Sequence, residues 1–258
     1  MRKLFVLFAL ILQLTLLADS PIIYDIRGAT PLLDANMSQF LENWRTKTIT
    51  PVKSLEYPNV IVNGDTTKKS ISLTFDDSPD ENNTAQLLDI LKTHHIKAAF
   101  FMIGNTIKDT NITVVKRAND EGHLVLNHSF THPRLSNLDE NGVITQLDQA
   151  AARIESITGH YPILYRPPYG SINSLVVKSV NAQGFTTVLW SLDSLDWTLK
   201  DPDAIIDNVL CNIRNGDIIL MHRTPASVGA LAPIIEKLSE RGYTFVRLDE
   251  FLGMRAYR

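Results

Sequence analysis

Two close pairs of polar residues carry the side-chain types of a metal site. Asp76 and Asp77 follow the apolar run 71–75, and His128 and His132 follow a second apolar run further along the chain. One carboxylate and two imidazoles suit a borderline divalent ion such as zinc, and a site with three protein ligands leaves a coordination position for water. The remaining carboxylate is then a candidate general base.

Each pair also has a purely structural interpretation. The four-residue separation of His128 and His132 puts both rings on one side of a helical turn or tight loop, where one can be packed and the other solvated. Adjacent aspartates such as Asp76 and Asp77 commonly occupy an exposed turn or a helix start. The functional interpretation is favoured because both pairs lie where a buried strand pattern ends.

Strand-like apolar runs alternate with amphipathic helical runs along most of the chain. Seven such units favour a parallel sheet covered by helices, closed or nearly closed into a barrel, with an open doubly wound sheet as the alternative. No glycine-rich phosphate loop follows the first strand, which argues against nucleotide binding. The predicted strands are 71–75, 98–103, 124–127, 163–166, 186–191, 217–222 and 243–248, and the clearest predicted helices are 84–95, 141–158 and 204–213.

In both arrangements the active site is expected at the carboxyl ends of the strands. Five polar clusters fall at such ends, and although each could be explained by packing, turns or surface pairs, their shared location favours one functional site. The clusters are Asp76-Asp77, His128 with His132, Arg166-Pro167-Pro168-Tyr169-Gly170, Asp193-Ser194-Leu195-Asp196-Trp197 and Leu220-Met221-His222.

These clusters make the sequence resemble the polysaccharide deacetylases, the NodB-homology domain of carbohydrate esterase family 4. The resemblance covers about residues 70–250, with the five motifs in order, the first being Thr74-Phe75-Asp76-Asp77. It implies a distorted (β/α)7 barrel. One departure is Ser78, which stands where the family usually has glycine, and a positive φ at that position would be strained.

The resemblance also implies roles for the metal and base residues. Asp77, His128 and His132 would hold one divalent ion, zinc in the first place, with cobalt, nickel or manganese as alternatives. Asp76 would act as the general base that takes a proton from water. Arg166 would pair with this base and keep it ionised.

On the acid side, the resemblance implies that His222 protonates the leaving amine and that Asp196 orients and charges this histidine. The backbone N–H of Tyr169 would face the developing oxyanion. Trp197 and Leu220 would form apolar walls for the acetyl group and the sugar ring. Water would be the nucleophile, in agreement with the absence of a Gly-x-Ser-x-Gly motif.

Composition and the N-terminal sequence limit the number of domains, the possible partners and the cellular location. The 258 residues are 44% hydrophobic with net charge −3, enough for one core and without the basic field that nucleic-acid binding needs. Arg2 and Lys3 precede the apolar stretch 4–17, which is too short to span a bilayer comfortably and is typical of a signal peptide. We therefore expect residues 1–18 to be a signal peptide or an uncleaved anchor, 19–65 an N-terminal extension and 66–258 the catalytic domain.

Three functional hypotheses follow. The first is an exported, secreted, periplasmic or cell-envelope N-deacetylase that acts on a polysaccharide such as peptidoglycan or chitin and works as a monomer without an obligate protein partner. The second is an O-acetyl esterase of the xylan type. The third is a carbohydrate-binding relative without catalysis. Cys211, the single cysteine, is expected to be a buried apolar residue of the helix 204–213 and not a nucleophile.

Overall fold

The structure is a computed structural model that describes residues 22–28 and 33–258. Within these residues it contains eight α-helices and a nine-stranded parallel sheet. The helices are α1 Ala35–Lys53, α2 Asn83–Thr93, α3 Ile112–Asp120, α4 Glu140–Thr158, α5 Ser174–Ala182, α6 Pro202–Asn212, α7 Pro225–Glu240 and α8 Leu248–Leu252. The strands are β1 Val60–Ile61, β2 Ser70–Ser78, β3 Ala99–Met102, β4 Leu124–Asn127, β5 Leu164–Tyr165, β6 Thr186–Val188, β7 Leu192–Asp193, β8 Ile218–His222 and β9 Thr244–Phe245.

The sheet curls into a distorted barrel. Its strand order is β1-β6-β5-β4-β3-β2-β8-β7, with β9 paired to β2. Strand β7 lies at one edge of the sheet, and β6 is the second strand from the opposite edge. Only residues 189–191 connect β6 to β7 in the chain, so the two edges of the sheet must approach each other. Asn63, just after β1, forms an antiparallel bridge with Asp217, just before β8, and so links the edges. The predicted barrel-like α/β fold is confirmed.

Side-chain alternation in the strands explains the two sides of the sheet. In β3, Phe100 and Met102 pack in the cluster under helices α2 and α7, whereas Ala99 and Phe101 pack in the cluster that includes Leu220 of β8. All four β3 residues are fully buried. Because successive residues of a strand point to opposite faces, burial on both sides requires a continuous apolar run. Burial of each aromatic side chain contributes about 2–3 kcal/mol.

The strands that the sequence did not predict are β1 and β7, each two residues long. A two-residue strand has no periodicity to detect, so its backbone partners alone define it. Strand β1 and helix α1 both belong to the predicted extension 19–65, and β1 pairs with β6 as part of the main sheet. Arg27, from the same stretch, forms a parallel bridge with Leu192.

Cys211 departs from its prediction. It lies on α6, but its side chain is exposed, because the buried stripe of this helix runs through Ala204, Ile205, Asn208 and Val209. The prediction of a buried apolar cysteine was therefore wrong. A position one residue away from a buried stripe on a helix can face solvent.

The predicted signal peptide at residues 1–18 lies outside the described residues. Among the helices of residues 22–28 and 33–258, not one combines the length and the apolar character needed to cross a bilayer.

His123 gives the fold a specific sensitivity to acid. It lies just before β4 with a fully buried ring, and its Nδ1 accepts the backbone N–H of Ala98 at 3.1 Å. Burial, reinforced by the nearby charge of Lys97, lowers the pKa of His123 from 6.5 to about 4. The unfolded chain therefore binds a proton between these pH values that the folded chain does not. Stability is expected to fall as the pH drops from 6.5 to 4, by roughly 3 kcal/mol.

His123→Asn tests this expectation, since asparagine retains an acceptor for the Ala98 N–H and cannot titrate. Urea unfolding of both proteins across this pH range should show the wild type losing about 3 kcal/mol more than the variant. Parallel stability profiles would show that another group causes any acid sensitivity.

Candidate active site

The residues predicted from the motifs come together around one cavity of about 470 Å³ at the carboxyl ends of the strands. Arg166 and Asp196 have fully buried side chains behind the cavity wall. The other predicted residues line the cavity, namely Asp76, Asp77, His128, His132, Tyr169, Trp197, Leu220 and His222. Five of the nine strands, β2, β4, β5, β7 and β8, thus carry residues of one site at or just after their carboxyl ends.

The chain segments that form the site share an uncommon backbone conformation. Five residues of the motifs have positive φ although they are not glycine, a conformation that costs about 1–3 kcal/mol at each position and clusters at functional sites. They are Asp77 (63°), Ser129 (65°), His132 (60°), Tyr169 (59°) and Leu195 (61°). Ser78 is not among them and continues strand β2 as a buried residue. The expected strain at the serine therefore does not arise, because the positive φ belongs to its neighbour.

Asp77, His128 and His132 form a compact three-ligand group. Their candidate ligand atoms all lie within 4.8 Å of one another. The Asp77 Oδ1 atom is buried without a hydrogen-bond donor and lies 3.5 Å from His128 Nε2 and 3.1 Å from His132 Nε2. A buried carboxylate oxygen without a donor fits a metal ligand, and these residues could hold a divalent ion.

A second contact orients His128 for such a role. Its Nδ1 lies 2.8 Å from the carbonyl oxygen of Arg166. A carbonyl oxygen only accepts, so Nδ1 carries the proton and Nε2 presents its lone pair toward Asp77. Metal-bound histidines typically have their other ring nitrogen fixed in this way.

The second aspartate of the pair has different surroundings. Asp76 is buried, and its Oδ1 accepts a hydrogen bond from Arg166 Nη1 at 2.8 Å. The same guanidinium donates to Thr74 Oγ1 and to the carbonyl oxygens of Val188 and Leu189, so every arm is bonded. Burial lowers the pKa of Arg166 and the charge of Asp76 opposes that shift. The Asp76 Oδ2 atom lies 3.7 Å from His128 Nε2, beside the three-ligand group.

His222 faces the same cavity from strand β8. Its Nδ1 donates to Asp196 Oδ1 at 2.8 Å, and its backbone N–H donates to Asp196 Oδ2 at 2.5 Å. Burial acts to lower the pKa of His222, but Asp196, helped by Asp76 and Asp77, outweighs burial and raises the pKa to about 9. The raised pKa favours the protonated ring, in which Asp196 holds Nδ1–H and Nε2 is the nitrogen left for proton transfer.

Several residues of the site carry no signal in the sequence motifs. Ser227, at the start of α7, donates its hydroxyl proton to Asp196 Oδ2. Arg223 donates through Nε to the backbone carbonyl of Asp77 and through Nη1 to Asp80 at 3.0 Å. Phe40 and Trp44 of α1 also line the cavity. Only Arg223 could have been suspected, because it directly follows the motif histidine.

Comparison with known proteins places this site in a family. Residues 63–188 match the family model for polysaccharide deacetylase. A peptidoglycan-N-acetylglucosamine deacetylase of Bacillus cereus is 39% identical over 205 residues, which cover 77% of this chain and 74% of that protein. The chain belongs to the polysaccharide deacetylase family. It is accordingly a hydrolase of the polysaccharide N-deacetylase class.

Other deacetylases agree with this assignment. The peptidoglycan-N-acetylmuramic acid deacetylase PdaA of Bacillus subtilis is 34% identical over 200 residues, which cover 76% of each chain. The crystal structure of a peptidoglycan N-acetylglucosamine deacetylase in complex with 4-naphthalen-1-yl-N-oxidanyl-benzamide superposes with a TM-score of 0.77 and is 36% identical, covering 81% of this chain and all of that one.

The family also contains an inactive relative of known structure. A pseudoenzyme of carbohydrate esterase family 4 from Bacillus anthracis superposes with a TM-score of 0.71 at 33% identity, covering 75% of this chain and 68% of that one. The polysaccharide deacetylase fold alone therefore does not guarantee catalysis, which depends on the residues of the site.

Proposed function

We propose that this protein removes N-acetyl groups from an N-acetylated amino sugar of peptidoglycan or a chitin-like polysaccharide and releases acetate. The observation that carries the proposal is the presence of three separate groups around one cavity: a carboxylate–imidazole ligand group, a carboxylate paired with a buried arginine, and an imidazole paired with a buried carboxylate. Related peptidoglycan deacetylases support the choice of polysaccharide.

Asp77, His128 and His132 would hold one divalent ion. Two imidazoles and a carboxylate favour zinc, and cobalt, nickel and manganese are alternatives. When bound, such an ion supplies Lewis acidity to the acetamide carbonyl. The protein's part is to hold the ligands in place, through the Arg166 carbonyl behind His128 and through the Arg223 contact to the Asp77 backbone.

Asp76 would be the general base. Its Oδ1 is occupied by Arg166, so Oδ2 is the oxygen that can take a proton from the attacking water. The paired guanidinium supplies the opposite charge and the hydrogen bond that a carboxylate in a buried setting needs. Each of the three guanidinium nitrogens of Arg166 donates at least one further hydrogen bond, which fixes the orientation of the pair.

His222 would be the general acid. Its Nδ1–H bond to Asp196 holds the ring, and the proton on Nε2 goes to the nitrogen of the departing amine. The Tyr169 N–H would stabilise the developing oxyanion. Trp197 and Leu220, which line the same cavity, would contact the acetyl methyl group and the sugar ring.

The two alternative functions are an O-acetyl esterase and a carbohydrate-binding protein without catalysis. An O-acetyl esterase could use the same base and ligand group, since an ester's alcohol leaves more readily than an amine. The pairing of His222 with Asp196 favours amide hydrolysis, because a departing amine depends on an acid more strongly than a departing alcohol does. A binding protein without catalysis would have no need of the intact Asp76–Arg166 and His222–Asp196 pairs.

The function is tested by incubating the metal-loaded protein with chitooligosaccharides, peptidoglycan fragments and acetylxylan. Mass spectrometry should show a loss of about 42 Da per acetyl group from one of the first two substrates. Loss from acetylxylan alone would establish the esterase alternative. A complete lack of hydrolysis, with metal bound, would favour the binding protein.

The proposed substrate also implies a place of action. Peptidoglycan and chitin-like polymers lie outside the cytoplasm, so we propose that the protein is exported and that residues 1–18 direct this export. The catalytic part would be residues 66–258, acting on the polysaccharide as a monomer.

Arg223 offers a test of the ligand group that does not depend on turnover. Its two hydrogen bonds join the Asp77 backbone, which has a positive φ, to Asp80. Arg223→Met should weaken divalent-metal binding about tenfold, as loss of residues that orient ligands typically does. Equilibrium dialysis gives the metal affinity. Arg223→Lys keeps one donor, so its affinity should lie between those of the wild type and Arg223→Met. Unchanged affinity in the methionine variant would remove Arg223 from the ligand-positioning role.

A further inference from the structure

Helix α1 covers part of the cavity, although it lies before the segment that matches the polysaccharide deacetylase model. Phe40, Leu41 and Trp44 of this helix line the same cavity as Asp76 and His222. The family model matches residues 63–188, so this wall comes from a part of the chain outside the match. Contacts between α1 and a substrate can therefore add a substrate preference that the motifs do not encode.

Trp44 fixes α1 against the motif loops. Its ring stacks on Trp190 with centroids 5.6 Å apart and planes inclined by 20°, and its Nε1–H donates to the Tyr169 carbonyl at 3.2 Å. A Cβ at Gly170 would lie 2.6 Å from Trp44 Cζ2, so the helix approaches the loop as closely as a glycine permits. The wall is thus a rigid part of the site.

Phe40 lies one helical turn before Trp44, and most of its side chain is not packed against the protein. Its side chain is 54% exposed, whereas the adjacent Leu41 is 3% exposed and belongs to the core. A single exposed phenylalanine needs no explanation on a surface, but this one lines a cavity that holds the proposed catalytic groups. A flat apolar face held on a rigid helix matches the C–H face of a pyranose ring.

We propose that Phe40 forms a subsite for a second sugar ring, the neighbour of the ring whose acetamide is hydrolysed. The inference rests on the proposed function and adds to it a preference, in KM, for a disaccharide or longer chain over the monosaccharide. Trp197 and Leu220, both within the motifs, take the reacting ring. Phe40 stands on a different element and is more than half exposed, so a ring that extends from the cavity towards solvent can reach its face.

Trp44 is a positioning residue in this arrangement. It touches the loop of Tyr169 and holds the helix at its distance from the motif loops, and Phe40 makes the contact with substrate. The two roles predict different defects, since loss of Phe40 affects binding of the second ring while the motif residues keep their geometry.

The test compares the wild type with Phe40→Ala on N-acetylglucosamine and its oligomers. For the disaccharide and longer chains, Phe40→Ala should raise KM about tenfold with little change in kcat, as expected for loss of one ring-stacking contact. Activity on the monosaccharide should be unchanged. Phe40→Tyr should restore the oligomer KM and Phe40→Leu should not, which separates stacking from packing of α1.

Leu175→Ala provides the matched control, because it removes an exposed apolar side chain from α5 outside the cavity lining. It should leave both substrates unaffected. Equal effects of Phe40→Ala on monosaccharide and oligomers, or none at all in an active enzyme, would overturn the subsite and leave the proposed function standing. A wild type that deacetylates no amino sugar would overturn both.

Discussion

Asp76→Asn should lower kcat by about two to four orders of magnitude while the protein retains its bound metal, because general acid–base catalysis is worth that much. Asparagine keeps an oxygen acceptor for Arg166 Nη1 but cannot take a proton from water. The fold should survive, since Arg166 keeps its bonds to Thr74, Val188 and Leu189. Initial rates of acetate release and metal content after dialysis are the two measurements.

Asp77→Asn is the matched control, one residue away and with the same chemical change. It should lose metal as well as activity, because Asp77 Oδ1 lies against both histidine Nε2 atoms. If both variants lose metal equally, the division of the pair into base and ligand is wrong. If Asp76→Asn remains active, the base must be sought elsewhere.

The second large effect concerns the leaving group. His222→Ala should impair hydrolysis of an N-acetyl amino sugar by about two to four orders of magnitude and should impair an activated aryl acetate much less, because a phenolate leaves without a proton. Measuring kcat/KM on both substrates for wild type and variant decides the matter. An equal loss on both would indicate that His222 acts on the oxyanion or the metal ligands.

The pH profile gives an independent test of the same residue. Because the pKa of His222 is raised to about 9, its proton is present at neutral pH and is lost as pH rises toward that value. A cation bound beside Asp77 opposes the imidazolium, so the alkaline limb of the loaded enzyme is expected below 9. Asp196→Asn removes the largest favourable charge and should move that limb about one to two units lower, with the acidic limb unchanged. A limb that stays in place would exclude the Asp196 role.

The motif residues were accessible to sequence analysis because their signal is local. The apolar run 71–75 must end in a loop, and parallel strands bring their carboxyl ends to one side, so polar residues at several such ends were expected to meet. The prediction from sequence therefore included Asp76, His128 and His222 in one site. The structure brings these residues to one cavity.

Other features depend on contacts between distant segments and on backbone geometry. The two-residue strands β1 and β7 are defined by their partners, and the exposure of Cys211 by the direction of one helix face. The positive φ of Asp77, in place of Ser78, accompanies a register shift in β2 between Phe75 and Ser78. No local pattern encodes these properties.

The sequence by itself determined the chemistry of this protein: which side chains can bind a metal, take a proton or give one, and that they follow strands of one parallel sheet. Only the tertiary structure decided their contacts and surroundings. It oriented His128 through the Arg166 carbonyl, paired Arg223 with the Asp77 backbone, and placed Phe40 and Trp44 over the cavity. The physical reason is that hydrogen-bond direction and the shape of a cavity arise from groups far apart in the chain, whereas side-chain chemistry belongs to each residue alone.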